Sequence, residues 1–389
     1  MAVKMTKVIN ELPGLRKAAE QVRDILLANV VMMGEIPAPT FKEENRIRFL
    51  HDRFSESGLQ DCSVDEVGNG FGVLPGEEGG DHVLLIAHAD TIFDEKVDHT
   101  VSIQSEWITG PGVGDNSLGM AVLATLPMLM KQVDFKPRSN MILMGASRSL
   151  GRGDLEGLRF FLENNRLPIR CAVCMEGVQL GRLSYSSLGM LRGEIHVRVP
   201  EMYDWTRLGA AGAIVMLNDV INRINQIRLP KRPKTSIVLG SIRGGTSFNT
   251  IATNSVLRFE IRSESADVVR SIHEQIEDAI SEISSETNAD VKLDILARRK
   301  PGGIGFRHPM VRCAREIMRA MDVEPRIAPS TSELSALIDH KIPAITLGIS
   351  TGDQLNQLNE RVRITPMFSG VAQLMGILKA VDGGLCDED

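Results

Sequence analysis

Val83-Leu84-Leu85-Ile86-Ala87-His88-Ala89-Asp90 is the stretch on which the fold turns. An unbroken apolar run of this length makes a strand buried on both faces. It ends on the triplet His88-Ala89-Asp90, which such a strand presents to a cleft beyond its end. Downstream, Gly112-Val113-Gly114-Asp115-Asn116-Ser117-Leu118-Gly119 is a glycine-rich turn, and residues 120–130, full of Leu, Met and Ala, read as a helix. Asp115 therefore stands where a turn meets a helix start. An imidazole at a strand end and a carboxylate at a neighbouring helix start can converge on one cation of the borderline class. Asp90, two residues from His88, can accept the proton of the far ring nitrogen and fix its tautomer. The simpler alternative is that His88 and Asp90 cap a strand and Asp115 caps a helix.

Working outward, the periodicity predicts helices over residues 15–33 and 43–57, and strands over 63–67 and 70–74. After the helix that follows Gly119 come a strand over 141–144, a helix over 155–164 and a buried strand over 169–175 that stops on Glu176-Gly177. Strands alternating with helices predict an α/β sheet covered on both faces, with its chemistry beyond the strand ends. From Gly189 the texture changes: strand 192–199, helix 210–226, strands 235–241 and 255–261, helix 266–284 and strand 290–296. That βαββαβ order predicts a ferredoxin-like unit over 190–299, inserted in an α/β domain made of 1–189 and 300–389. A helix over 309–321, a strand over 344–347 and a helix over 365–381 complete the first domain.

Composition narrows the function. The chain has 389 residues, 43% of them hydrophobic, enough for two cores. A formal charge of -6 with the two signs interspersed disfavours nucleic acid as a partner. No apolar run approaches the roughly 20 residues that cross a bilayer. The first residues carry no hydrophobic leader, so a cytoplasmic location is the default expectation. Five thinly spread cysteines make no disulfide framework, and Cys171 and Cys174, despite their spacing, read as core thiols.

Several motifs together resemble the M20 family of metallopeptidases and aminoacylases, with its carboxypeptidase and desuccinylase types. They are Ile36-Pro37-Ala38-Pro39 with Glu43-Glu44, Gly68-Asn69-Gly70, His88-Ala89-Asp90-Thr91, Gly114 to Gly119, Gly153-Asp154-Leu155-Glu156-Gly157, Glu176-Gly177, Gly244-Gly245-Thr246-Ser247-Phe248-Asn249 and Ile342-Pro343-Ala344-Ile345. The resemblance implies an αβα catalytic domain with an inserted lid and dimerisation domain, and a homodimer acting on small peptides or N-acyl amino acids. It also implies two metal ions that share one aspartate, and a glutamate that takes a proton from the bridging water. Asp115 matches the shared carboxylate, His88 and Glu176 the other ligands of one ion, and Asp90 the partner of His88. Asn249 matches a substrate-holding asparagine and Arg262 a carboxylate-gripping arginine.

The other half departs from the pattern. Where the family has an Asp-Glu-Glu run, this chain reads Ser147-Arg148-Ser149, so Arg148 stands at the general-base position and Ser149 at a ligand of the second ion. Asn356 stands where the family has a histidine ligand, four residues ahead of Glu360. An arginine accepts no proton at neutral pH and a serine hydroxyl is a poor substitute for a carboxylate. No histidine lies between His196 and His273, where the family donates one to the oxyanion; Tyr203-Asp204-Trp205 occupies that neighbourhood. The expectation is one zinc per chain, with manganese or cobalt as alternatives, on a hydrolase scaffold of lost or much reduced activity. A non-catalytic binder, a structural dimer and a two-metal peptidase with ligands supplied elsewhere are the other readings. Arg148, with Arg152 near it, would then place cationic charge where the family has anionic charge, unless it turns out to solvent.

Overall fold

The strand His82–His88, buried along its whole length, lies inside an eight-stranded sheet. It pairs in parallel with Asn140–Ala146 on one side and Ile169–Val178 on the other, and Ala344–Ser350 continues the parallel set. Gly70–Leu74 and Gln60–Val64 close one edge antiparallel, and the short strands Arg182–Ser184 and Arg326–Ile327 close the other. The middles of the central strands are apolar because both faces are covered. Val83, Leu85, Val173 and Ile345 pack beneath the helices Ala2–Gln21, Arg23–Glu35, Leu118–Gln132 and Ile364–Asp382. Leu84, Ile86 and Cys174 pack beneath Glu156–Asn164 and Leu334–Asp339.

This is a computed structural model that describes residues 2–199, 211–287 and 289–387. The chain divides into two compact units, Met1–Ser186 with Gly303–Asp389, and Ser187–Gly302. Taken by itself, the second unit is a four-stranded antiparallel sheet in the order Asp290–Arg299, Gly189–Arg198, Asn254–Ser263, Thr235–Gly244, with helices Ala213–Gln226 and Ala266–Glu286. Its own core forms around Leu191, Ile195, Leu217, Phe259 and Ile276. Element order and strand order are those of the ferredoxin-like unit expected from the sequence. Ala210, expected to open the first of these helices, and Tyr203-Asp204-Trp205 lie outside the described residues.

Some expectations are corrected. The first helix begins at Ala2, because Met5, Val8, Leu12 and Leu15 form a buried stripe within a segment whose polar residues mask the period. The first strand is Gln60–Val64, not 63–67. Among the described residues, two stretches, Val113–Gln132 and Ile364–Asp382, are long and apolar enough to cross a membrane, and both are mostly buried inside the fold.

Candidate metal centre

Asp115 does not cap a helix. Its backbone (φ -126°, ψ 85°) is non-helical, and the helix proper begins at Leu118. The turn is held by Asn116, fully buried, whose Nδ2 donates to the Met175 carbonyl at 2.8 Å while its Oδ1 accepts from the amides of Gly177 at 2.9 Å and Gly119 at 3.2 Å. These bonds lock the turn to the strand that carries Glu176. Gly177 allows the approach, since a Cβ there would lie 2.2 Å from the Gly114 carbonyl oxygen. Glu360 completes the cradle: its Oε1 accepts from the amides of Gly114 at 2.7 Å and Asp115 at 2.9 Å, and its Oε2 from the amide of Asn356 at 3.1 Å. Burial, only partly offset by those amides, pushes the Glu360 carboxyl up to about 7.

One ligand atom from each of His88, Asp115 and Glu176 lies within 4.8 Å of the other two, the group of this kind found among the described residues. His88 Nε2 stands 3.0 Å from Asp115 Oδ1, and its Nδ1 faces the Asp90 carbonyl at 3.0 Å and Asp90 Oδ1 at 3.3 Å. Both ring nitrogens thus face acceptors, an arrangement satisfied by an imidazolium or by a cation beside Nε2. Burial works against the charged ring, but the hydrogen bonds and charges of Asp115 and Asp90 outweigh it and raise the His88 pKa well above 6.5. Asp115 is held below the ordinary carboxylate range, burial being overcome by His88 and Arg182. Glu176 is raised, because burial exceeds the help it receives from Arg182 and His88. Glu176 lies within a strand that runs on to Val178 rather than ending it, so it projects from a fixed backbone. One imidazole and two carboxylates fit a single divalent zinc, manganese or cobalt ion and leave one coordination position open.

Asp90 is buried, with Oδ2 accepting from Thr40 Oγ1 at 2.7 Å and the Leu150 amide at 2.8 Å. Arg148 turns its guanidinium to Glu156 (2.7 Å) and over the Phe41 ring, and its amide donates to Glu43 Oε1 at 2.8 Å. Ser149 is buried and its hydroxyl finds no hydrogen-bond partner. Asn356 is exposed with φ 64°. In the separate Ser187–Gly302 unit, Asn249 is exposed and its Oδ1 accepts from Ser247 Oγ at 2.8 Å, while Arg262 Nε donates to Glu260 Oε1 at 2.5 Å.

Three residues that sequence reasoning missed bear on the site. Glu333, 3% exposed, stands beside the helix Leu334–Asp339, its charge acts on His88 and Glu176, and its Oε1 has no hydrogen-bond partner. Arg182 approaches Glu176 to 3.6 Å. Arg46, wholly buried, donates to the carbonyls of Ala89 at 3.0 Å and Ile36 at 2.7 Å. Its position in the stripe with Leu50 and Phe54 was a readable signal, since an arginine on an apolar helix face must serve some internal acceptor.

Comparison with known proteins agrees with this architecture. Residues 208–288 match the M20 peptidase dimerisation domain. Among solved structures, a tripeptidase from Staphylococcus aureus aligns with a TM-score of 0.74 at 18% identity, over 93% of this chain and 99% of that one. A Bacillus subtilis protein described as a dinuclear metal-binding M20 peptidase aligns with a TM-score of 0.64 at 14% identity, over 93% of this chain and 99% of that one. A Pyrococcus abyssi protein described as a LysW-lysine/LysW-ornithine hydrolase is 41% identical over 58 residues, which are 15% of this chain and 16% of that protein's length.

Proposed function

We propose, from the premise that this chain belongs to the M20 metallopeptidases by fold and by its dimerisation domain, that it binds one divalent ion per chain at His88, Asp115 and Glu176. In this reading the cleft holds a small peptide or an N-acyl amino acid with little or no turnover. The observation that carries it is the convergence of these three side chains, while the positions matching the second ion's ligands and the base carry no carboxylate or imidazole: Ser149 has only a hydroxyl, Asn356 is an exposed amide, and Arg148 is paired with Glu156. When bound, the ion would supply Lewis acidity to an oxygen of the ligand. The chain's own part is to hold it: Asp90 keeps His88 Nε2 turned toward the site, Asn116 and Glu360 fix the turn of Asp115, and the sheet fixes Glu176. Arg148, at the position that the resemblance assigns to the base, has no proton-accepting atom. Asn249 and Arg262 are proposed to bind the ligand.

One observation favours a catalytic reading, the buried Glu333 oxygen that has no hydrogen-bond partner. Turnover of dipeptides or N-acyl amino acids that disappears in Glu333→Gln and in His88→Ala would select it. Absence of turnover at full ion loading selects the binder.

Ion binding must displace the His88 proton. Because Asp115 and Asp90 raise the His88 pKa, the ion competes with a proton for the ring, and ion affinity should climb with pH, by up to about tenfold per unit, until the raised pKa is passed. In chelator the sign is opposite: the stability His88 contributes is complete below 6.5 and is lost as pH rises through the raised value. Titration with a competing chelator between pH 6 and 8 reads the first effect, and a flat profile would contradict it.

The inserted unit offers an edge for a second copy. Thr235–Gly244 ends its sheet, and Val238, Leu239 and Ile242 on that strand and Ile214 and Val215 on the neighbouring helix are exposed. An unpaired apolar edge is a template for strand pairing. Ile242→Lys should convert a homodimer to monomers in sedimentation analysis, and a dimer that persists would contradict this interface.

A further inference from the structure

Arg182 is anchored by backbone on both sides. Its strand, Arg182–Ser184, pairs with Ala344–Ser350 and, through Arg182 itself, with Arg326. From there the side chain reaches the metal centre: Nη1 lies 3.6 Å from Glu176 Oε1, and Nη2 donates to Ser330 Oγ at 3.3 Å. Its charge acts on Asp115 as well as on Glu176. Near it stand the carboxylates of Asp115 and Glu176, and the charge of the buried Glu333 acts on Glu176 in turn. A cluster of that charge gathered out of water needs a compensating cation whether or not a metal is present. Arg182, with 31% of its side chain exposed at the margin of the site, is the permanent cation that the fold sets beside these acids, next to the titratable His88.

We propose that Arg182 is a built-in counter-cation of the His88–Asp115–Glu176 centre, competing with the divalent ion for Glu176 and thereby holding the ion's affinity down. This rests on the reading that the centre binds an ion. A guanidinium at 3.6 Å from Glu176 makes no hydrogen bond to it, so Arg182 acts through its charge rather than by setting the carboxylate's geometry. A divalent ion bound to Glu176 and Asp115 would sit within a few ångströms of a fixed positive charge, which raises the ion's free energy. The chain thus balances its acids without metal and gives up affinity when metal arrives. Removing the charge should tighten ion binding, and keeping the charge in a different shape should not.

The test is ion affinity by chelator competition at pH 7.5, with zinc and with manganese, on wild type, Arg182→Gln and Arg182→Lys, together with thermal unfolding of each in chelator. Arg182→Gln is expected to bind the ion about tenfold more tightly, while Arg182→Lys stays within about threefold of wild type. In chelator, Arg182→Gln should unfold at a lower temperature than wild type, and saturating ion should close the gap. Arg182→Met, which keeps the aliphatic stem, replaces Arg182→Gln if that variant does not fold. Unchanged or weaker affinity in the uncharged variant, with wild type binding an ion that His88→Ala loses, would overturn the counter-cation role and leave the metal-centre reading standing. Binding by Arg182→Gln alone would support the competition and overturn the reading that the natural chain carries an ion. No ion on any variant would overturn both.

Discussion

His88→Ala should reduce zinc or manganese affinity more than about 100-fold, since loss of a partner one shell further out already costs 10–100-fold. The imidazole supplies the sole nitrogen of the site, and Asp115 and Glu176 alone leave a two-carboxylate pair that competes poorly with water for a borderline ion. The substitution also strips Asp90 and Asp115 of the group they face, so the fold must be checked by circular dichroism. Asp90→Asn is the graded companion. It keeps the contacts with Thr40 and Leu150 in shape, weakens the hold on Nδ1, and should cost about 10–100-fold. Isothermal titration gives both numbers. Wild-type affinity in His88→Ala would mean that the ion, if any, binds elsewhere.

Arg46→Met should destabilise the fold by about 2–5 kcal/mol, since two buried carbonyls left without donors cost about 1–3 kcal/mol each. Desolvation lowers the Arg46 pKa to about 10, the charges of Asp90 and Glu43 opposing it. Its replacement would leave the carbonyls of Ala89 and Ile36 without these donors and remove a positive charge that acts on the buried Asp90 and Glu43. Because Ala89 lies between His88 and Asp90, the loss falls on the segment that aims the imidazole. Denaturant unfolding should show the midpoint shift, and Arg46→Lys, which keeps charge but not the two-pronged donation, should fall between. A cost under about 1 kcal/mol would contradict this account of Arg46.

Much of the fold was legible because its signals are local. The apolar run ending at His88, the glycine-rich turn at Asp115 and the βαββαβ order each follow from spacing within a few dozen residues. The helix Leu334–Asp339 is six residues long, too short to show a period, and so Glu333 beside it went unread. Arg182 sits on a three-residue strand whose partners lie some 150 residues away, and nothing local announces that it meets Glu176. Asp115 was legible as a ligand candidate in a turn ahead of the helix, but how that turn is held was not, because the bonds that bend it come from Asn116 to Met175 and Gly177 and from Glu360. The departures at Arg148, Ser149 and Asn356 were visible as residue types. That Arg148 pairs with Glu156, from a left-handed backbone (φ 52°), was not.

The central claim is one ion per chain, and metal content by mass spectrometry of the folded protein after loading with excess zinc, then manganese, at neutral pH tests it most directly. The account predicts one ion per chain in wild type and none in His88→Ala. Two ions per chain would contradict it, showing that Ser149 and Asn356 are not the end of the ligand set. No ion in wild type would remove the metal centre altogether.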